Sequence, residues 1–353
     1  MRLWAERGTW VGRRARARLA ALDPGQVHSI AVIKHAALGD LLLTRPFLLA
    51  LREHFPRARL TFSAISHYLR GVPEDLVDRV HVTPSSKERP GALKTLAAYR
   101  ALGAHDLLFD LTNSTRSLTL ARLTPARFKV GFQYRWLHKM IFDVAIPRAA
   151  YRFEAETYLE QLHPFGFDYS LPLRFGLDVQ PPARPRPYLV YFPTASNTEK
   201  SWPPAHFSQL LQTLAVQLPD HDHLLLAGIA DWEQRVADEI MAPVAGSANV
   251  VRVAAGPDDA ALIRGARLLV SNDTGIRHLG IALERPTVGI FFATPPWGYA
   301  PRWGSHRVVF GADGRPPAVQ AVAQAVLAAL AETATPGTAA PGTTADGLHV
   351  SQA

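Results

Sequence analysis

One alternation, met twice along the chain, limits the possible folds more than any other feature. Short apolar runs of strand length are separated by longer stretches whose apolar residues recur at helical spacing. That order predicts parallel sheets built from strand–helix–strand units, because parallel neighbours need a long crossover and a helix supplies it. In the first half, strands are expected near Ser29–Lys34, Leu60–Ile65, Val80–Val82, Asp106–Leu111 and Phe128–Gly131. Helices are expected near Asp40–His54, Ala92–Leu102 and Thr115–Leu123. The pattern restarts with strands near Tyr188–Phe192, His223–Ala227, Val250–Val253, Arg267–Ser271 and Thr287–Phe291. Helical stretches near Pro203–Leu218, Asp231–Met241, Asp258–Gly265 and Thr274–Leu283 lie between them.

The interruption falls at Leu171–Pro187, where five prolines stiffen the backbone and remove donors that a helix or central strand needs. A chain of 353 residues has room for two domains, each with its own core. The expected division is a basic arm over 1–28, an α/β domain over 29–170, a linker over 171–187, a second α/β domain over 188–332 and a tail over 333–353. The tail is rich in Ala, Thr, Pro and Gly and is expected to be disordered. Two such units imply a cleft between the carboxyl ends of two sheets, where open α/β sheets place their ligands.

Charge narrows the function classes. The net +8 is uneven: residues 1–22 hold six arginines against Glu6, a balance of +5, which leaves only +3 for the rest. With Trp4, Trp10, Val11 and Leu19 among them, these arginines suit either an amphipathic segment on an anionic membrane surface or a solvated arm. Gly8 and Gly12 weaken the helical version. No apolar h-region follows, so the arm is not a secretory signal, and no apolar run approaches the ~18 residues of a membrane span. The absence of cysteine removes disulfides, thiolate metal sites and thiol nucleophiles, and fits a reducing cytoplasm. Neither zinc-ligand spacing nor an aromatic RNA-binding signature is present, so nucleic acid is not an expected partner.

The common catalytic fingerprints are missing too. No G-x-G-x-x-G opens the first helix, and there is no P-loop, H-E-x-x-H helix or G-x-S-x-G elbow. That argues against a nicotinamide dehydrogenase, a P-loop kinase, a metalloprotease and a serine hydrolase. Asp220-His221-Asp222 resembles a metal-binding D-x-D but precedes its strand, and reads as a solvated turn.

Three other segments carry chemistry. In the first, a buried strand ends at Lys34 and the turn His35-Ala36-Ala37-Leu38-Gly39-Asp40 opens a helix, where Asp40 suits either a helix cap or a catalytic carboxylate. In the second, Tyr188–Phe192 runs into Pro193-Thr194-Ala195-Ser196-Asn197-Thr198-Glu199-Lys200-Ser201-Trp202-Pro203. Lys200 there stands among hydroxyls and backbone N–H groups, a setting for a phosphate, although surface exposure is the ordinary fate of lysine. In the third, a strand empties into Asp273-Thr274-Gly275-Ile276-Arg277-His278. Asp273 and Thr274 are placed to cap the next helix, whose free N–H groups make an anion site.

Taken in this order and spacing, across roughly residues 29–310, these segments resemble glycosyltransferase family nine, the heptosyltransferase family. The resemblance rests on Ala37-Leu38-Gly39-Asp40, on the hydroxyl-rich stretch through Lys200 to Trp202-Pro203, and on Asp273-Thr274-Gly275-x-x-His278 before Pro286–Phe291. Asp106–Ser117, with its downstream Arg116, is similar to a further strand of that family. The resemblance implies an α/β fold of the GT-B type, two Rossmann-like domains facing across a cleft, with acceptor on the first and nucleotide sugar on the second. It implies Asp40 as general base and Lys200 beside the donor phosphates. Ser196, Asp273, Thr274, Gly275 and His278 would complete the donor loop, with Glu233 on the ribose hydroxyls and Lys34 and Arg116 toward the acceptor.

The implied reaction is an inverting transfer of a heptose from ADP-heptose to an anionic lipid-linked saccharide of the lipopolysaccharide inner core. It would take place peripherally, at the inner face of the cytoplasmic membrane, with neither metal nor cofactor. The chain departs from the family at Ala36 and Ala37, where serines are frequent, and at Thr112 and Asn113, where a glutamine is frequent. Two other readings therefore stand beside the transferase: a catalytically degenerate, membrane-associated binding protein, and another GT-B enzyme with a different nucleotide sugar.

Overall fold

Each half of the chain folds around one seven-stranded sheet, in a computed structural model that describes residues 8–334 and 350–352. The division into two units falls between Phe175 and Gly176. In the first unit the elements are β1 (Trp10–Val11), α1 (Ala15–Ala20), β2 (Ser29–Ile33), α2 (Leu38–Leu42), α3 (Arg45–His54), β3 (Arg59–Ile65) and β4 (Arg79–Thr83). They continue with α4 (Ala92–Arg100), β5 (His105–Asp110), α5 (Thr115–Leu123), β6 (Ala126–Phe132), α6 (His138–Ile141), β7 (Val144–Ile146) and α7 (Glu154–Leu159).

The second unit comprises β8 (Tyr188–Phe192), α8 (Pro204–Gln217), β9 (Asp222–Ala227), α9 (Asp231–Met241), β10 (Val250–Ala254), α10 (Asp259–Gly265) and β11 (Leu268–Asn272). After these come α11 (Gly275–Ala282), β12 (Thr287–Phe291), β13 (His306–Phe310), α12 (Val319–Ala334) and β14 (Val350–Gln352).

Strand order explains where ligands belong. The first sheet runs β1-β7-β6-β5-β2-β3-β4, parallel except for β1, and the second runs β10-β9-β8-β11-β12-β13-β14, parallel throughout. In the first unit the chain leaves β2 outward and returns on its other side at β5. In the second it does the same around β8, returning at β11. Strand order reverses at those two seams, so the loops after β2 and β5 flank the crevice of the first sheet, and those after β8 and β11 flank the crevice of the second, where doubly wound sheets take ligands.

The central strands read as continuous apolar runs because both faces are covered. In β8, Leu189 and Tyr191 join the core under α8 and α12, while Tyr188, Val190 and Phe192 join the one that includes Ile263 and Ile276. No helix among the described residues is long and apolar enough to cross a membrane.

Three expectations need correction. The basic arm is not detached where it is described: residues 8–28 belong to the first unit. β1 pairs antiparallel with β7, Gly12 donates its N–H to Asp143 at 2.9 Å, and Arg18 bonds Asp143 at 2.9 Å with its guanidinium 5.4 Å from the Phe128 ring. The physical reason is the edge of β7, whose ladder groups gain a partner in β1. Residues 1–7 lie outside the described residues. Next, the helix expected over 40–54 is two helices, since Pro46 lacks an N–H and sits in the first turn of α3, where none is needed. Finally, the stretch read as a disordered tail from 333 lies outside the described residues at 335–349 and 353. Within it, Val350–Gln352 pairs parallel with β13.

Candidate functional site

In the first unit the turn after β2 and the loop after β5 form one polar assembly. Lys34, at the end of β2, is 4% exposed. Its ammonium donates to the Tyr158 hydroxyl and, at 3.5 Å, to the carbonyl of Leu111, and lies 3.9 Å from Glu154. Glu154 is bonded in turn by Arg148. Burial pulls the Lys34 pKa down, opposed first by the charge of Asp40 and then by Glu154. The structure thus holds Lys34 inside the fold, underneath the turn, where an acceptor was expected to meet it.

Asp40 is half-buried in the first turn of α2. The cap position belongs to Ala37, and the Asp40 carboxylate takes no hydrogen bond from any described residue. Helix capping therefore does not account for this aspartate. Its carboxylate is left to the helix N-terminus, to the field of Lys34 and to whatever enters the turn.

The loop after β5 is built around Asp110, which is fully buried. One of its oxygens accepts from the N–H groups of Thr112 at 2.8 Å and Asn113 at 3.3 Å, the other from the Ser117 hydroxyl at 2.8 Å. Burial outweighs these bonds and pushes its pKa up to about 6. Ser114 and Ser117 form a reciprocal capping box on α5 and so direct its first turn. Arg116, in that turn, donates to the Pro84 carbonyl at 3.1 Å and acts electrostatically on His35.

His35 escaped the sequence reading, although it stands next to Lys34. Its N–H donates to Thr112 at 2.8 Å, and its Nε2 faces Thr83 at 3.2 Å and Ser63 at 3.4 Å. Burial, with Arg116 next, brings its pKa down to about 3, and its buried Nδ1 has no partner.

In the second unit the carboxyl ends of β8, β9 and β11 bring most of the other expected residues together. Thr194, fully buried after β8, donates to Glu233 at 2.8 Å. The second oxygen of Glu233 accepts from the Ala230 N–H at 3.1 Å and caps α9. A Cβ at Gly228 would lie 2.2 Å from the Glu233 carboxyl carbon, so glycine is what lets this carboxylate sit against the end of β9. Ser196 is exposed on the loop between β8 and α8.

Asn197 caps the short turn Thr198–Lys200, which aims Lys200 back toward β11. The Lys200 ammonium lies 3.2 Å from Asp273, with the lysine side chain 31% and the aspartate 11% exposed. Asn272 ties the two loops: its Oδ1 accepts from the Trp202 N–H at 3.0 Å and its Nδ2 donates to the Pro193 carbonyl at 2.7 Å. An asparagine at the end of a strand gives no sequence signal for such a staple. Asp273 also accepts from the Thr294 hydroxyl at 2.7 Å. Burial would raise its pKa, but Thr294 and the charges of Lys200 and His278 outweigh that and hold it below the ordinary carboxylate range.

The sequence expects Asp273 and Thr274 to cap α11. Thr274 does occupy the cap position, but its hydroxyl makes no capping bond, and Asp273 turns to Lys200 and Thr294 instead. The first N–H groups of α11, beginning at Gly275, are therefore left without a side-chain cap, a ready anion site beside Lys200. His278 is buried one turn along, with its ring 5.4 Å from that of Tyr299. Asp222 of the D-x-D look-alike lies at the opposite end of the sheet, at the start of β9, against Arg186 at 3.4 Å.

Comparison with known proteins converges on one family. The sequence model for glycosyltransferase family 9 (heptosyltransferase) matches residues 95–328. Lipopolysaccharide heptosyltransferase 3 of Escherichia coli is 25% identical over 306 residues, covering 78% of this chain and 86% of its own length. The solved structure of E. coli heptosyltransferase WaaC with ADP superposes with a TM-score of 0.70 at 21% identity, over 85% of this chain and 99% of that one. Its complex with ADP-2-deoxy-2-fluoro heptose gives 0.69 at 21%, over 86% and 99%. At that identity the two structures establish the fold, which is GT-B.

Proposed function

This chain belongs to glycosyltransferase family 9, the heptosyltransferases, and from that premise we propose that it transfers a heptose from ADP-heptose to an anionic, lipid-linked inner-core saccharide. The anomer inverts and no metal takes part. The observation that carries the reading is a division of labour between the units. A carboxylate free of hydrogen bonds, Asp40, stands at the seam of the first. A lysine beside an uncapped helix start, Lys200 with α11, stands at the seam of the second.

In this reading the acceptor oxygen attacks the anomeric carbon and the bond from that carbon to the diphosphate breaks. The bonding pair leaves with ADP, and the acceptor proton passes to Asp40 as general base. Attack from the face opposite the leaving group inverts the anomer. Lys200 and the N–H groups of Thr274, Gly275 and the residues after them meet the charge that grows on the diphosphate. Asp273 orients Lys200, and His278 and Ser196 complete the donor loop. Glu233 keeps lone pairs for ribose hydroxyls beyond its bonds to Thr194 and Ala230. Arg116 turns toward the anionic acceptor. Lys34 serves beneath the turn, held by Tyr158 and the Leu111 carbonyl.

The acceptor's lipid anchor asks for a membrane-facing surface, at the inner face of the cytoplasmic membrane. Residues 111–142 contain six Arg and Lys and not one Asp or Glu. Arg135, Trp136, Lys139 and Met140 are exposed at α6, and Arg13, Arg14 and Arg16 are exposed at α1. The Trp10 ring, 5.6 Å from that of His138, joins the two segments. Basic residues rimming exposed apolar ones suit an anionic bilayer.

Calorimetry with ADP, UDP and GDP tests the donor, and ADP is expected to bind most tightly. Tighter binding of UDP or GDP would redirect the reading to another nucleotide sugar. Tight ADP binding without turnover of any heptose donor would favour the non-catalytic binding protein.

A further inference from the structure

A buried guanidinium lies one residue before His278 on α11. Arg277 is fully buried, and its Nη1 donates to the Tyr299 carbonyl at 2.6 Å. Its Cζ is 5.2 Å from the centre of the Phe291 ring, while Nε and Nη2 have no partner. Burial brings its pKa down to about 10, so it stays charged at neutral pH, and Asp273 is the charge that favours this. Holding a charge inside a fold on so few bonds costs stability.

The room for it is made by Gly289, in the middle of β12. A Cβ at that position would lie 2.3 Å from Nε and 2.9 Å from Cδ of Arg277, and 2.8 Å from the Phe291 ring on which the guanidinium lies. Glycine inside a central strand also weakens a sheet. Two local costs therefore meet at one point, and such breaches of local rules concentrate at functional sites.

The segment that Arg277 grips is the one that touches the donor loop. Thr294 bonds Asp273, and the Tyr299 ring packs on His278. We infer that Arg277 is a positioning residue. By holding the Tyr299 carbonyl it fixes residues 294–299, and through them keeps Asp273, Lys200 and His278 arranged for a nucleoside diphosphate. This rests on the donor assignment proposed above. A residue that only filled the core would do better as an apolar side chain of similar size, which in such places is often neutral or stabilising.

The test measures ADP affinity by calorimetry and melting temperature for the full-length wild type, Arg277→Met, Gly289→Ala and the double variant. Arg277→Met is expected to melt no lower than the wild type and to bind ADP about tenfold more weakly, the scale of one lost bond to a charged group. Gly289→Ala pushes a methyl onto the guanidinium and should weaken ADP similarly. Once Arg277 is gone, Gly289→Ala keeps only its contact with the Phe291 ring and should add much less than its own loss of ADP affinity, a shortfall that a double-mutant cycle detects. ADP affinity within about twofold of wild type in Arg277→Met overturns the inference, and so do additive losses in the double variant. If Arg277→Met does not fold, Gly289→Ala decides alone, and normal ADP affinity there overturns it. A wild type that binds no ADP overturns the donor assignment and this inference together, whereas an unaffected Arg277→Met overturns the inference only.

Discussion

Residues 1–175 carry 26 basic and 15 acidic side chains, a balance of +11, while residues 176–353 carry 12 and 15, a balance of −3. Both units wind a parallel sheet outward from a central strand and back to its other side, so the scaffold is shared and the use of charge is not. The two aspartates that close the returning strands show the difference at one place. Asp110, at the end of β5, is sealed from solvent and pushed up to about 6 by burial. Asp273, just past β11, is held low by Thr294 and Lys200. In the first unit, then, Lys34 and Asp110 are bonded within the fold, while the Asp40 carboxylate takes no hydrogen bond from any described residue. The surplus charge lies outside. In the second unit the overall charge does not favour an anion, so the proposed donor would be held by local means: Lys200, an uncapped helix start, and the buried Arg277 behind them. In the proposed function one unit steers and deprotonates while the other grips.

The hardest test of that contrast is Asp40→Asn. The amide keeps the size, and no hydrogen bond or cap is lost, so the melting temperature should stay near wild type. Turnover should fall by a factor of about 10² to 10⁴, the usual cost of removing a general base. ADP affinity should stay unchanged, because the proposed grip on the diphosphate belongs to the other unit. A fully active variant would remove Asp40 from the mechanism. A variant that also lost ADP affinity would break the separation of roles.

How much of the molecule is legible in its sequence differs between the units for physical reasons. Buried central strands announce themselves by composition, and Tyr188–Phe192 and Thr287–Phe291 are read from the sequence with their observed limits. β1 and β7 are two and three residues long and carry no period to read. β13, beginning His306-Arg307, resembles a loop until β12 pairs with it. At the site, motifs located Lys200 and Asp273, whose contact is close. They could not show that Lys34 points inward onto Tyr158, since a lysine after a strand normally reaches solvent. Asn272, Thr294, Arg277 and Gly289 act through packing between segments distant in sequence, and no spacing rule foretells that.

A second test concerns the sealed interior of the first unit. Asp110→Asn can keep every contact. Its Oδ1 still accepts from Thr112 and Asn113, and its Nδ2 can donate to Ser117, whose own hydrogen is free to go to the Ser114 carbonyl at 3.0 Å. The folded carboxyl titrates near 6 rather than at 3.8. Between those values the folded chain binds the proton more tightly than the unfolded one. The stability this gives is whole below the unfolded value and is lost as pH rises through about 6. The loss amounts to about 3 kcal/mol. Denaturant unfolding at pH 4 and pH 7 should therefore show the variant gaining on the wild type as pH rises. Parallel profiles for the two proteins would mean that Asp110 is ionised throughout and that burial does not govern this loop.

The smallest effect belongs to the outer surplus of the first unit. Each basic residue near an anionic bilayer adds about 1 kcal/mol, about fivefold in partitioning, and salt screens it. Arg14→Ser removes one exposed charge from the cap of α1 without touching the core or either seam. It should lower sedimentation with phosphatidylglycerol vesicles by about that factor and leave neutral phosphatidylcholine vesicles unaffected. Trp136 is 63% exposed beside Lys139, so Trp136→Ser should weaken binding to both kinds of vesicle, because its contribution is apolar. Turnover of a soluble acceptor analogue should not change in either variant. If wild type and Arg14→Ser sediment equally with anionic vesicles, α1 is a solvated surface and the +11 balance serves the soluble saccharide instead. If the wild type binds neutral and anionic vesicles alike, the bilayer is met by apolar contact and the charge contrast between the units says nothing about membranes.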